Sequence, residues 1–333
     1  MLRIPYAEMY GQFLRVLLKE GFTTERAELC AKLFAEASRD GVYTHGLNRF
    51  PRFIEHIRRG VVDIHAHPKQ EAAYGALERW DGSGGPGNLN AYFCMNRAID
   101  LAGRYGMGAV SLSNTNHWMR AGAYGWQAAE AGCIGMCWTN TTPNLPPWGS
   151  AEAKLGNNPI VLAVPRQEGH VVLDMAMSMF SYGKLETYHL QNKPLPVDGG
   201  FDQAGELSRD PGAILESKRP LPIGYWKGSG LSLLLDMIAA VLSGGLATHE
   251  IGRLEQETRV SQMFIAFDAS KLDTHHAVSQ TVNSIIEDLA GAEPLKENEK
   301  VYYPGERTLF TRAENMAGGI PAEPIFWEQV LAL

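Results

Sequence analysis

Gly82-Ser83-Gly84-Gly85-Pro86-Gly87 is the stretch whose reading decides the fold, because it has the G-x-G-x-x-G spacing of a dinucleotide fingerprint. It follows a strand-like run at residues 72–80 and opens a helix-like run at 88–105, which is the context such a fingerprint needs. Two features count against it. Pro86 removes an amide from any phosphate cradle, and the next strand, ending near Ser113, delivers Ser and Asn where an acidic residue is expected on a ribose hydroxyl. A plain turn is the better reading.

Outward from this turn the chain changes character. Residues 1–60 read as helical: the run from Tyr6 to Glu20 carries Phe13, Leu14, Val16, Leu17 and Leu18, Thr24 is a candidate N-cap for the next helix, and Gly21 and Gly41 end the two. Phe50, Phe53, Ile54 and Ile57 make a third apolar stripe, with Arg49, Arg52, Glu55 and His56 turned elsewhere. From Val61 short apolar runs at 72–80, 108–113, 134–139, 160–164, 171–175 and 262–267 alternate with helical patterns at 88–105, 121–131 and 231–243, the arrangement of an α/β domain. Residues 191–219 are rich in Pro, Gly and Asp and read as a long surface excursion. The expected organisation is a helical domain over 1–60, an α/β domain over 61–299, and a segment from about 300 to 333 that packs back on the first helices.

Composition narrows the function. Of the 333 residues 45% are apolar and 20% charged, a globular balance, and 30 basic against 37 acidic side chains leave a formal charge of −7 that repels nucleic acid and anionic lipid. The longest apolar stretch, 231–242, is broken by Ser232 and Asp236 and falls short of the ~20 residues that cross a bilayer, so no membrane span is expected. The start, Met1-Leu2-Arg3-Ile4-Pro5-Tyr6, has no secretory pattern, and four cysteines are too few for a disulfide scaffold, so a reducing cytoplasm is expected. Cys133 and Cys137 have no His or third Cys at zinc-ligand spacing, and no metal site is expected.

Four segments carry candidate chemistry. In Thr44-His45-Gly46-Leu47-Asn48-Arg49, a helix would put His45 and Arg49 on one face, a proton donor beside a bidentate carboxylate clamp suited to a 2-oxo acid. Pattern alone favours a solvated His/Arg face, and Pro51 disfavours helix just before it. Asn114-Thr115-Asn116-His117-Trp118 sits at the carboxyl end of a strand, where ligands collect, although a capped helix start explains it equally well. Trp226-Lys227-Gly228-Ser229-Gly230 opens an apolar helix and offers a seat for a pyrophosphate. Asp174, ending a strand, could accept from a ribose or amide.

These segments, with Gly156-Asn157-Asn158-Pro159 and Asp174-Met175-Ala176-Met177-Ser178, resemble the type-2 malate/L-lactate dehydrogenase family in order and spacing over almost the entire chain. The resemblance implies an α/β domain with a mixed sheet that is not a Rossmann fold, a cytoplasmic homodimer, and an NAD cofactor with NADH preferred over NADPH. It implies that His45 donates the proton while Arg49 and His117 line the pocket of a small keto acid, sugar-derived in the branch whose strings match best. Cofactor contacts are implied for His170, Val171, Val172, Leu173, Asp174, Met175 and Ala176, for Trp226 and Lys227, and for Gly305, Glu306 and Arg307. The residues ahead of Asp174, the Glu306-Arg307 pair and the loop from Thr141 to Leu145 depart from the family pattern. Rival expectations are a malate, lactate or ureidoglycolate type of dehydrogenase on the same scaffold and, from another class, a non-catalytic dimer that binds a sugar acid.

Overall fold

A computed structural model describes residues 2–272, 277–296 and 299–333. After β1 (Leu2–Ile4), the first apolar stripe folds as α1 (Tyr6–Lys19) and the second as α2 (Thr24–Arg39), capped from Thr23 rather than Thr24. Gly21 (φ 94°) and Gly41 (φ 85°) end both helices in the left-handed region, where a side chain would be strained. Pro51 lies in the first turn of α3 (Phe50–Arg58), where its missing amide is harmless, so it starts this helix instead of extending an earlier one. Phe50 stacks on Phe13 at 4.3 Å and meets Phe34 edge-on at 5.1 Å, which locks the three helices together.

The run expected as one strand at 72–80 is a hairpin. β2 (Lys69–Tyr74) and β3 (Leu77–Asp81) fold back at Gly75, whose φ of 65° the alternating pattern could not report. The chain continues through α4 (Gly87–Tyr105), β4 (Met107–Thr115), α5 (Gly122–Glu130), β5 (Cys133–Thr139), β6 (Ile160–Val164) and β7 (Val171–Met175). Next come α6 (Tyr182–Leu190), β8 (Gly200–Phe201), β9 (Leu207–Ser208) and α7 (Pro211–Ser217). The expected featureless excursion is thus a satellite in which β8 pairs with β9 over buried Leu185, Leu195 and Ile214; three core side chains are too few to leave a periodic signature.

The remaining elements are α8 (Trp226–Ser243), α9 (Thr248–Ile251), β10 (Val260–Asp268), α10 (Ala269–Leu272), α11 (Ala277–Ala290), α12 (Glu306–Gly318), β11 (Ile320–Ala322) and α13 (Pro324–Ala332). The main sheet has the order β2-β3-β4-β10-β5-β6-β7, and only β3 and β4 run parallel. A doubly wound nucleotide fold needs a mostly parallel sheet, so this mixed sheet is not one. β11 pairs with β1, and Trp327 and Val330 of α13 enter the core of the N-terminal helices.

Helix α8 begins five residues before its expected start at 231. Its 18 residues reach a mean hydropathy of 1.2, enough by length and composition to cross a bilayer, with a third of the helix buried. The side facing the sheet mixes apolar and polar contacts: Leu235 and Ala239 pack with Trp138 and Met263, Ser232 binds Asn158, and Asp236 accepts from Asn140 and from the Thr248 amide. Leu233, Leu234, Met237, Ile238 and Val241 face outward.

Asp40, just past α2, ties the distant parts together. Its side chain is 1% exposed and takes Arg39 at 2.7 Å, Arg120 at 2.5 Å and Arg312 of α12 at 2.7 Å. Burial pushes its carboxyl up, but hydrogen bonds from Arg312 and Arg39 and the charge of Arg120 outweigh that and hold it well below the usual carboxylate range. A depressed folded value stabilises at pH above the ordinary carboxylate range, and the contribution is lost progressively as pH falls below it. Asp40→Asn leaves guanidinium charge uncompensated and should lower the stability read from urea melts at pH 7 by about 3–5 kcal/mol, with a smaller difference at pH 3. An unchanged midpoint would refute this role.

Candidate active site

The glycine turn packs against the segment that carries His117. Gly82 and Gly84 donate their amides to the carbonyls of Ser113 and Asn114, and Gly85 donates to Gly82, so these three glycine amides are already spent within the protein. A Cβ at Gly87 would lie 2.1 Å from the Asn116 carbonyl and 2.4 Å from that of His117. The start of α4 is therefore sealed against the segment that carries His117. Asn116 closes the arrangement, its amide donating to the carbonyls of Gly84 (2.8 Å) and Gly85 (3.0 Å).

His45 arrives from the other side. The segment expected as one helical turn is two short 3-10 turns, Tyr43–His45 and Leu47–Arg49, broken at Gly46. A side chain at Gly46 would strike Ser38 Oγ at 2.1 Å, and Ser38 accepts the Leu47 amide at 2.8 Å, so the turn lies flat on α2. A shared helical face does not join His45 to Arg49; the break does, by folding both toward His117.

The imidazoles of His45 and His117 stack at 5.7 Å with an 18° interplanar angle. His117 Nδ1 accepts the Met119 amide at 3.0 Å, which assigns the proton of the neutral ring to Nε2 and leaves that atom as a hydrogen-bond donor. His45 Nδ1 pairs with Thr44 Oγ1 at 3.2 Å, leaving its Nε2 available. Burial, then the charges of Arg49 and Arg120, push the His45 imidazole down to about 4. Burial, with Arg49 and the other histidines, likewise pushes His117 well below its ordinary value. Both rings are neutral at pH 7 in the unliganded protein.

Arg49, Arg52, Phe53, His56, Asn116, His117, Met119 and Glu257 line a small cavity beside this pair. Glu257 Oε2 accepts the Thr142 amide at 3.1 Å. Among the described residues, neither Arg49 nor Arg52 has a hydrogen-bond or ion-pair partner, so both guanidiniums are free for an anion. Arg52, His56 and Glu257 escaped the sequence reading; Arg52 sits in the polar face of a recognised amphipathic helix, and Glu257 lies in a loop with no pattern at all.

The cofactor candidates fall along one sheet edge. His170 to Ala176 run along and just past β7, the outermost strand. The Val172 amide donates to the Pro304 carbonyl at 2.9 Å, and a Cβ at Gly305 (φ 94°) would lie 3.0 Å from the Val172 nitrogen. One end of the strand therefore meets Gly305. Near its other end, Asp174 accepts the Gly122 amide at 2.8 Å, and beyond it the Ile223 amide donates to the Met177 carbonyl, three residues before Trp226. Glu306 is held by Lys300, and Arg307 lies over Tyr302 at 4.4 Å. At the start of α8, the Lys227, Gly228 and Ser229 amides already bind carbonyls of Gly224, Ile223 and Tyr225. The anticipated amide seat for a pyrophosphate is thus consumed locally, and the Lys227 ammonium is the group left to meet phosphate. Among the described residues no hydrogen bond, ion pair or ring contact joins Trp226 or Lys227 to the histidine pair.

A stacked histidine pair beside two unpaired guanidiniums has the chemistry to move a proton and to meet an anion. The chain belongs to the malate/L-lactate dehydrogenase family, whose profile matches residues 4–331. It is thus an oxidoreductase of the class acting on CH–OH groups. It is 44% identical to the 2,3-diketo-L-gulonate reductase of Escherichia coli (strain K12) over 333 residues, covering all of both chains. Among solved structures, malate dehydrogenase from Pyrococcus horikoshii OT3 superposes with a TM-score of 0.88 at 29% identity, over 98% of this chain and 93% of that one. Sulfolactate dehydrogenase from Methanocaldococcus jannaschii gives a TM-score of 0.91 at 27% identity, over 99% and 95%.

Gly87→Ala should drive the Asn116–His117 backbone off α4. The expected result is about 1–3 kcal/mol lost in a thermal or urea melt, together with loss of turnover; a variant as stable and as active as the parent would show that the close approach is immaterial.

Proposed function

We propose that the protein is an NADH-dependent reductase of the 2-oxo group of a sugar-derived keto acid, 2,3-diketo-L-gulonate to 3-keto-L-gulonate. What supports this reading is full-length similarity to a reductase of that name, combined with Arg49 and His117 on one cavity wall and His45 stacked on His117. The residues of the β7 edge fit a dinucleotide. Gly305 leaves open the space beside Val172 that a Cβ would fill, Asp174 keeps one carboxylate oxygen outside its bond to Gly122, and Lys227 supplies a cation. His170 through Ala176, Trp226, Lys227, Gly305, Glu306 and Arg307 would hold it, and when bound it exchanges a hydride with the substrate's second carbon.

The chain's own residues do the rest. Arg49 takes the substrate carboxylate and sets the oxo group toward the imidazoles. His117, with its proton on Nε2, hydrogen-bonds the oxo oxygen, and His45 gives the proton as charge develops there. A neutral resting His45 is compatible with this: burial is the main cause of its low value, and an incoming carboxylate that offsets Arg49 raises the ring's affinity for a proton. The same residues run the reverse reaction with neutral His45 as base.

A second reading is a malate or L-lactate type of dehydrogenase; its malate branch is favoured by Arg52, a second free guanidinium in the cavity that could hold a second acid group. The outward apolar face of α8 supports a homodimer, since Leu233, Leu234, Met237, Ile238 and Val241 remain exposed there and leave a patch that needs covering. Four free, buried cysteines suit the cytoplasm.

Reduced-nicotinamide absorbance, followed with a panel of 2-oxo acids and each coenzyme in turn, tests the assignment; oxidation with oxaloacetate or pyruvate but not diketogulonate would favour the second reading. His45→Ala should cut turnover ~10²–10⁴-fold with NADH affinity nearly unchanged. For hydroxy-acid oxidation, kcat/KM should stay level from neutrality to about pH 5 and fall below, because the free-enzyme base titrates near 4. Arg49→Met, which removes one of the charges depressing it, should move that limb upward. Leu234→Asp on α8 should yield monomers by light scattering if that face joins two copies.

A further inference from the structure

The cavity holds two free guanidiniums but does not have the charge of two. Glu257 faces it from the loop after α9, alongside Arg49 and Arg52 from the turn before α3 and from α3 itself. It forms no ion pair within 4 Å among the described residues. Its Oε2 is held by the Thr142 amide, so the carboxylate is fixed by the backbone rather than by an arginine. The other titratable groups on the cavity wall, His56 and His117, both titrate below their ordinary value and add no charge at pH 7. Burial pushes the Glu257 carboxyl up, against the Thr142 amide and the charges of Arg49 and Arg52, which favour its ionised form; with it ionised, two guanidiniums against one carboxylate leave a single excess positive charge.

We infer that Glu257, together with Arg52, determines substrate specificity by charge: the site accepts a 2-oxo acid with one carboxylate and a hydroxylated tail, and disfavours acids with a second anionic group. The inference rests on the proposal that Arg49 holds the substrate carboxylate. Once Arg49 is occupied, what remains is a fixed acceptor, Glu257, near a free donor, Arg52. A hydroxyl satisfies both, donating to the carboxylate and accepting from the guanidinium. A second carboxylate satisfies Arg52 but brings a like charge up to Glu257, and repulsion between such groups at partly buried sites is strong enough to discriminate partners. This separates a sugar acid from a malate-like substrate, although Arg52 taken alone would favour the latter.

The test compares kcat/KM for pyruvate and diketogulonate, each with one carboxylate, against oxaloacetate and 2-oxoglutarate, each with two. Glu257→Gln keeps the size of the side chain and an oxygen for the Thr142 amide while removing the charge. It should lower the ratio of one-carboxylate to two-carboxylate substrates at least tenfold, which is about 1.4 kcal/mol, while Glu257→Asp should retain the parent preference. A folded Glu257→Gln enzyme, checked by circular dichroism, whose ratio stays within threefold of the parent overturns the inference. If that variant does not fold, Arg52→Gln, exposed on α3, carries the test. It should move the ratio tenfold the other way, and no movement overturns the inference. A parent enzyme that reduces none of the four acids overturns the proposed function instead.

Discussion

One buried carboxylate sets the geometry of the site. Asp40 gathers guanidiniums from its own helix end, from the loop after β4 and from α12, three places far apart in sequence. A buried ion cluster adds little net stability over apolar packing of the same volume, so its consequence here is mainly positional. His45 lies five residues beyond Asp40, and His117 three residues before Arg120. Pinning Asp40 to Arg120 therefore fixes how far apart the two imidazoles can be. Arg312 extends the tie to α12, whose first turn meets the β7 edge through Gly305.

The same arginines govern the chemistry of the pair. Arg120 belongs to the Asp40 cluster and also depresses His45, as Arg49 does from the cavity, both adding to the effect of burial. In the free protein the charge near the imidazoles is positive and the rings are neutral. On the proposed reading, a substrate carboxylate would neutralise that excess and so couple binding of the acid to protonation of His45. Glu257, whose carboxyl burial pushes up, faces the same cavity as Arg49 and Arg52.

Much of the architecture was legible in residue pattern. The helical stripes of α1, α2 and α3 and the bounds of β6 and β7 follow from apolar periodicity, because burial on one face repeats at 3.6 or 2 residues. What periodicity missed was short or locally set. Gly75 turns a run of nine residues into a hairpin, and α6, α7 and the β8–β9 pair share a core of three fully buried side chains. The glycine-rich turn was read correctly as a turn, but its purpose, close approach to the carbonyls of Asn116 and His117, depends on a segment some thirty residues away.

By itself the sequence determined the family and most of the longer helical and strand-forming segments, and it singled out His45, Arg49 and His117 as candidates, since local pattern and matched motifs are properties of neighbours along the chain. Tertiary structure alone decided that His45 stacks on His117, that Asp40 holds three arginines, that the amides opening α8 are already spent, and that Arg52 shares its cavity with Glu257. Each of those facts joins residues whose proximity is a matter of chain path and side-chain direction, and their proton affinities follow from that proximity and burial, which no spacing in one dimension encodes.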